Sequence, residues 1–222
     1  MLEWIRETQD VWQRLQNTQK PIVMYGMGDG AVKILQVMKR YGVAPAAMFA
    51  SDGFARGNLF MGYKMEELAD IQSRYDDFLI VVAFAVHDEP TVNYLYELSQ
   101  KYELVAPDVP VAGTNLFTMD FVQEHEQEFL QVESMLADEQ SRKVLYDIVN
   151  FKLSGKLYYL ADCTTDTELT IILSSRQRRN LLPILVPTAE IPLQNCCIMQ
   201  EDAGGYLHLS RMKRPTKNFV LQ

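Results

Sequence analysis

Hydrophobic positions in the first 115 residues occur in two kinds of run, one continuous and one with helical spacing. The run "PIVMYG" (21–26) indicates a short buried strand, because four apolar residues follow one another without a polar interruption. Val32, Leu35 and Met38 then recur at helical spacing up to Gly42, a residue type that commonly ends helices. This stretch therefore predicts a strand, a tight loop and a helix.

The same alternation continues along the chain. "APAAMFASD" predicts a second strand that ends at Asp52, "FLIVVAF" a third that is apolar on both faces, and "ELVAP" a fourth. "MEELADIQSRY" and "PTVNYLYELSQKY" are predicted to be helices between them. Strands that alternate with helices form a parallel sheet with right-handed crossovers. We therefore predict an α/β fold, a Rossmann-like three-layer sandwich with a parallel sheet, over residues 1–115.

Helices are also predicted before and after this sheet. An opening helix that ends before Pro21 is predicted from four residues on one face: Trp4, Val11, Trp12 and Leu15. Two helices form a predicted linker over 116–160, and the second has Asp138 as its N-cap and ends at Gly155. The first has one face made of Phe121, His125, Phe129, Val132 and Leu136. Residues 161–222 are predicted to be an irregular tail.

The loop "YGMGDGA" joins the first strand to its helix. In a dinucleotide-binding fold, the first glycine allows a tight turn and the second lets the backbone approach a pyrophosphate. The third position is small, so that helix and strand pack closely. Gly26, Gly28 and Ala31 match these three positions, Gly30 adds flexibility, and Asp29 belongs to the same loop. The loop predicts a site for a nucleotide or nucleotide sugar.

Polar residues also follow the second and third predicted strands. Asp52 lies about 25 residues after the loop, where an acid binds a ribose hydroxyl. His87, Asp88 and Glu89 follow the third strand, at the sheet edge where open α/β folds bind ligands. Two alternatives remain open: the loop merely makes a turn, and the two acids merely begin the next helix. The predicted ligand-binding residues are Gly26, Gly28, Asp29, Gly30, Asp52 and His87.

Composition narrows the class of partner. The net charge of -8 argues against sequence-independent nucleic-acid binding, which needs clustered Lys and Arg. No apolar stretch reaches the roughly 18 residues of a membrane-spanning helix, so we expect a cytoplasmic protein that binds a small molecule and no membrane. The pattern contains no Ser-His-Asp set, H-E-x-x-H or C-x-x-C, so no catalytic or metal-binding residue is predicted. The sequence alone predicts no oligomeric state.

Three segments together resemble a known family: "KPIVMYGMGDGAVKILQVMKRYGV", "FASDGFARGNLFMGYKMEEL" and "VESMLADEQSRKVLYDIVNFKLSGKLYYL". They are similar to the N-terminal half of FkbM-type methyltransferases, from about residue 20 to 160. The last segment is the most specific. The resemblance implies a Rossmann-like domain, comparable with nucleotide-sugar-binding or epimerase-like modules, and a helical linker. It also implies that a catalytic domain using S-adenosylmethionine follows in intact relatives.

The expected cofactor loop, similar to D-x-G-A-x-x-G-D-T, is absent after the linker. In a shifted reading frame, each codon consists of the third base of one codon and the first two bases of the next. The codons that are possible for Pro183–Pro192 then include a set that encodes D-L-G-A-Y-R-G-D-T. In the same frame, Gly205–Lys213 permits I-S-A-L-E-P-D-E, similar to the next strand and its acid, and Leu169–Leu173 permits D-Y-H-L. The charge also changes here, since residues 169–222 carry +4 and residues 1–168 carry -12. We hypothesise a frameshift near Thr165–Leu169; the rival is a divergent C-terminus.

The first functional hypothesis is a truncated FkbM-type methyltransferase. Its intact relatives are expected to transfer a methyl group from S-adenosylmethionine to a sugar or another small hydroxylated acceptor, whereas this chain is expected not to methylate. The alternative is a stand-alone nucleotide or nucleotide-sugar binding module without catalysis. A weaker alternative is an NAD-dependent epimerase or oxidoreductase. It lacks the expected Tyr-x-x-x-Lys pair, because Tyr94, Tyr96 and Tyr102 have no lysine four residues later.

Overall fold

The computed structural model describes residues 2–51, 54, 57–86, 88–111 and 113–164, together with the backbone of 197–201 and 207–211. The chain divides into two compact units. The first comprises Met1–Glu126 and Tyr146–Cys163, and the second comprises Gln127–Leu145 and Thr164–Gln222. The second unit includes an antiparallel pair of strands in which Cys197 is opposite Arg211. The predicted domain boundaries after residues 115 and 160 stay predictions.

A six-stranded sheet forms the centre of the first unit. Its order is β3-β4-β2-β1-β5-β6, and all neighbours are parallel except β3, which is antiparallel to β4. Without β3, this is the strand order of a Rossmann fold. The strands are β1 (Ile22–Tyr25), β2 (Ala47–Phe49), β3 (Leu59–Phe60), β4 (Tyr63–Glu66), β5 (Leu79–Val82) and β6 (Glu103–Val105), with β7 (Cys197–Glu201) and β8 (Leu207–Arg211) in the second unit.

Helices cover both faces of this sheet. Met24 and Val81 point to the face covered by α1 and α2, whereas Val23 and Ile80 point to the face covered by α3 and α4. Successive strand residues thus enter opposite cores, which explains why β1 and β5 are apolar at every position. This arrangement confirms the predicted Rossmann-like three-layer sandwich. The helices are α1 (Val11–Asn17), α2 (Asp29–Arg40), α3 (Leu68–Gln72), α4 (Glu89–Lys101), α5 (Met119–Glu124), α6 (Glu126–Met135), α7 (Glu139–Ser154) and α8 (Tyr158–Cys163).

The opening helix is shorter than predicted. Asp10 caps α1 by accepting hydrogen bonds from the backbone N–H groups of Trp12 and Gln13, and the Gln13 side chain accepts one from the Asp10 N–H. This capping box sets the start of the helix at Val11. Including Trp4 in the helix is therefore wrong: Trp4 precedes the cap, and its ring stacks on Tyr146 at 4.8 Å.

A short hairpin between the second strand and the third helix was not predicted. Met61 and Gly62 connect β3 to β4, and both have positive φ, 50° and 88°. Such a two-residue turn matches the twist of an antiparallel pair. The predicted helix "MEELADIQSRY" is consequently wrong at its start, because Met65 and Glu66 pair with β2 in the sheet. The second strand is assigned only as far as Phe49.

The predicted linker contains three helices up to Ser154. The first predicted helix is divided at His125, the C-cap of α5, whose φ of -107° and ψ of 24° are not helical. The second matches α7: Asp138 accepts a hydrogen bond from the Ser141 N–H at 2.8 Å. It ends at Gly155, which has a φ of 69°. A Cβ on Gly155 would lie 2.9 Å from the Ala106 nitrogen, so glycine also allows this close approach.

The C-terminal part of α7 and the segment after it hold the N-terminal coil of the chain. Asn150 is fully buried, and its side chain accepts a hydrogen bond from the Arg6 N–H and donates to the carbonyl of Trp4. Glu7 accepts hydrogen bonds from Lys156 at 2.8 Å and from the Tyr159 hydroxyl at 2.6 Å. Asn150, Lys156 and Tyr159 belong to the segment in which the family resemblance is most specific. In this structure they stabilise the N-terminal coil.

Candidate ligand-binding crevice

The strand order creates a crevice at the carboxyl edge of the sheet. The helix that follows β1 packs on one face, and the helix that follows β5, the neighbour of β1, packs on the other. Their connecting loops therefore leave the sheet in opposite directions, which opens the space where nucleotides bind in doubly wound folds. At this point the structure brings Gly26 and Gly30, which follow β1, close to Ala83 and Phe84, which follow β5.

Gly26 makes the turn out of β1. Its φ of 118° lies in a region that side chains rarely adopt, and its N–H donates to the Phe49 carbonyl at 2.8 Å. A Cβ at this position would lie 2.8 Å from the ring of Phe84. Both the backbone conformation and the packing against Phe84 therefore favour glycine at position 26.

Gly30 and Gly28 have different surroundings. A Cβ on Gly30 would lie 2.6 Å from the carbonyl oxygen of Ala83, so α2 can approach β5 only with glycine here. The sequence interpretation of Gly30 as added flexibility is therefore wrong. Gly28 has an extended backbone, with φ of -174°, and a Cβ there would meet no atom of the described residues within 4 Å. Protein packing explains Gly30 but leaves the space beside Gly28 open.

The first turn of α2 carries unpaired donors. Gly28 is the N-cap and supplies no side chain, and the N–H groups of Asp29, Gly30 and Ala31 have no acceptor within the described ranges. Such groups and the helix dipole attract anions. The Asp29 carboxylate forms an ion pair with Lys33 at 2.9 Å, so these two charges offset each other. Lys33 also donates to the carbonyl of Val111 in the loop after β6.

Two predicted site residues, Asp52 and His87, lie outside the described residues. Their flanking neighbours Ser51 and Asp88 are described, and they follow β2 and β5 respectively. The Asp88 side chain accepts hydrogen bonds from the N–H of Thr91 at 3.0 Å and from its hydroxyl at 2.8 Å. The alternative that this acid begins α4 is thus confirmed for Asp88. The roles of all six predicted residues in ligand binding stay predictions.

Sequence analysis missed an aromatic cluster at the end of β1, directly before the glycine loop. The Tyr25 ring stacks on Phe49 with centroids 4.3 Å apart, and the ring of Phe84 meets it edge-on at 4.7 Å. The Tyr25 and Ser51 hydroxyls are hydrogen bonded, with 2.6 Å between Oη and Oγ. The "Y" of "YGMGDGA" was the available signal, but only the strand pairing brings it beside residue 51.

A separate polar cleft of about 250 Å³ lies beside β6 and contains two ion pairs, Arg14 with Glu103 and Lys156 with Glu7. Burial acts to raise the pKa of Glu103, but the hydrogen bond and charge of Arg14, helped by Lys20, outweigh it and lower the pKa. Burial and the hydrogen bond to Glu7 raise the pKa of Tyr159. Both basic side chains of this cleft, Arg14 and Lys156, are thus paired with acids.

Within the described part of the chain, no group of three or more His, Cys, Asp or Glu side chains could hold a metal ion. No helix in the same ranges is long and apolar enough to cross a membrane. His125 contacts its own helix, with Nδ1 2.9 Å from the Phe121 carbonyl oxygen and its ring stacked on Phe121.

Comparisons with known proteins give one structural likeness. No protein-family model matches the chain, and no curated protein matches it significantly. Among solved structures, it is similar to methyltransferase FkbM from Methylobacillus flagellatus KT, at 15% sequence identity and a TM-score of 0.45. The likeness covers 64% of this chain and 41% of that one, so the chain spans less than half of the solved protein. At this level of identity the likeness concerns the fold alone.

Proposed function

We propose that the crevice binds a nucleotide or a nucleotide sugar. The diphosphate would accept hydrogen bonds from the N–H groups at the start of α2, and Asp52 would bind the ribose. The observation that carries this proposal is the space beside Gly28, where a Cβ would meet no described atom, next to three N–H groups that have no acceptor among the described residues. A loop that merely made a turn would need glycine at Gly26 and Gly30, but no described contact requires it at Gly28.

We further propose that the chain corresponds to the N-terminal part of an FkbM-type methyltransferase and transfers no methyl group by itself. S-adenosylmethionine would supply a methyl group in intact relatives. The stretch Pro183–Pro192, where its loop is expected, contains no glycine and lies outside the described residues. Without glycine, side chains would stand where the backbone must approach the cofactor. These residues do not fit the cofactor, and no methyl-transfer step is assigned to this chain.

Calorimetric titration of the full chain with UDP, ADP, UDP-glucose, NAD and S-adenosylmethionine tests the binding proposal. We expect saturable binding of at least one nucleotide, and loss of most of that affinity in Asp52→Ala. Asp76→Ala is the matched control, because Asp76 is an exposed acid in the loop before β5, at the opposite edge of the sheet. Failure of the wild-type chain to bind any of the five compounds would leave the loop with a purely structural role.

The origin of the C-terminal residues has its own test. If a frameshift replaced a catalytic domain, the nucleotide sequence should encode D-L-G-A-Y-R-G-D-T opposite Pro183–Pro192 and continue in that frame beyond the codon of Gln222. A stop codon in that frame, or a different translation of it, would favour the divergent C-terminus instead. Nothing in the described residues favours the NAD-dependent oxidoreductase over these readings.

A further inference from the structure

We infer that Tyr25 is a positioning residue that sets the ribose selectivity of the crevice, and this inference rests on the proposed nucleotide binding. Tyr25 directly precedes Gly26, the first glycine of the loop, and Ser51 directly precedes Asp52. The hydrogen bond of 2.6 Å between the two hydroxyls therefore connects the loop that would hold the diphosphate to the segment that carries the ribose acid.

The Tyr25 hydroxyl has little freedom to move. The residue is 2% exposed, and three aromatic rings from different parts of the fold lie around its own ring. Phe49 of β2 stacks on it, Phe84 after β5 meets it edge-on, and Tyr94 of α4 lies 6.4 Å away between ring centroids. A ring held on several sides fixes the position of its hydroxyl, as a preorganised site requires.

Ser51, in contrast, is exposed and has left the regular part of the sheet. The backbone link between the ends of β1 and β2 is the hydrogen bond from the Gly26 N–H to the Phe49 carbonyl. The Tyr25 hydroxyl extends that link by two residues along the second segment, to Ser51. A fixed hydroxyl on a buried ring thus restrains the backbone next to Asp52, whereas diphosphate binding at α2 does not depend on this contact.

Removing the hydroxyl should therefore affect one part of a ligand and spare another. Tyr25→Phe keeps the ring and its packing but releases Ser51. A single hydrogen bond of this kind corresponds to a change of about twofold to tenfold in an equilibrium constant. We expect Tyr25→Phe to lower the affinity for UDP and ADP by this factor. The affinity for their 2′-deoxy analogues and for inorganic pyrophosphate should not change.

The test compares wild type, Tyr25→Phe, Ser51→Ala and the double variant by titration with these compounds. The ratio of ribonucleotide to 2′-deoxynucleotide affinity should fall in each variant, and the double variant should lose no more than Tyr25→Phe. Tyr102→Phe is the control, because it removes a tyrosine hydroxyl that is bonded to Gln72, remote from the crevice. A lower melting temperature with an unchanged ratio would give Tyr25 a structural role alone and overturn the inference. Absence of nucleotide binding in the wild type would overturn it together with the proposed function.

Discussion

Gly30→Ala should destabilise the protein because a methyl group at this position meets backbone and not a flexible side chain. The new Cβ would lie 2.6 Å from the Ala83 carbonyl oxygen, and ordinary contact begins at 3.4 Å, so α2 and β5 must separate by about 0.8 Å. Overpacking of this kind costs roughly 1–3 kcal/mol. Alanine regains up to about 1 kcal/mol of helix propensity. Because a contact of 2.6 Å with backbone belongs to the upper part of that range, about 2–3 kcal/mol, we expect a net loss of about 1–2 kcal/mol in the free energy of unfolding.

Urea denaturation followed by tryptophan fluorescence measures this loss, since both tryptophans of the chain, Trp4 and Trp12, lie in the first unit. Gly28→Ala is the matched control, because its Cβ would meet no described atom within 4 Å. It should change stability by less than about 0.5 kcal/mol, since a small capping loss offsets a gain in unfolded-state entropy. Equal effects of the two variants, or a stabilised Gly30→Ala, would refute the packing argument.

Three further variants test other parts of the fold. Met61→Asn should stabilise the protein by about 0.5–1 kcal/mol, because Met61 has a φ of 50° beside Gly62 and asparagine tolerates this conformation. Asn150→Ala should cost about 2–4 kcal/mol in the same denaturation experiment, since it removes the three hydrogen bonds that this buried side chain makes to the backbone of Arg6, Trp4 and Tyr146. Glu103→Gln should be less stable than wild type at neutral pH, because Arg14 lowers the pKa of Glu103 below 4.5. Ionised Glu103 stabilises the folded protein fully above that pH. The difference in stability between wild type and Glu103→Gln should therefore shrink as the pH falls through the lowered pKa.

Each of these expectations has a result that contradicts it. A loss of stability in Met61→Asn would mean that the exposed Met61 side chain contributes more than its backbone strain costs. If Asn150→Ala were as mild as the exposed Asn17→Ala, the N-terminal coil would not depend on Asn150. A difference between wild type and Glu103→Gln that stays constant from pH 7 to pH 3 would exclude linkage through this carboxyl.

The sheet could be predicted because its strands are buried on both faces. Continuous apolar runs such as that of β1, followed by helical spacing, indicate parallel strands and crossovers without any long-range information. The hairpin β3–β4 could not be predicted in this way, because Leu59 is 76% exposed and Lys64 lies opposite it. Its turn depends on a methionine with positive φ, a choice that turn propensities do not favour.

The position of the candidate site along the chain could be predicted, but its contacts between strands could not. The spacing of Gly26 and Gly28 locates a loop after a strand, and the strand order then places it at the crevice. Spacing could not distinguish Gly30, which is required by the Ala83 carbonyl just after β5, from Gly28, which no described contact requires. The pairing of Tyr25 with Ser51 was equally hidden, because only the register of β1 and β2 brings these residues together.

The most direct test of nucleotide binding is the backbone-amide NMR spectrum of the full chain during titration with UDP and with ADP. Diphosphate oxygens that accept hydrogen bonds at the start of α2 should shift the amide signals of Asp29, Gly30 and Ala31 saturably with one of the two ligands. The account predicts these shifts in the wild type and in Tyr25→Phe. Unchanged amide signals for all three residues at saturating concentrations of both nucleotides would contradict it.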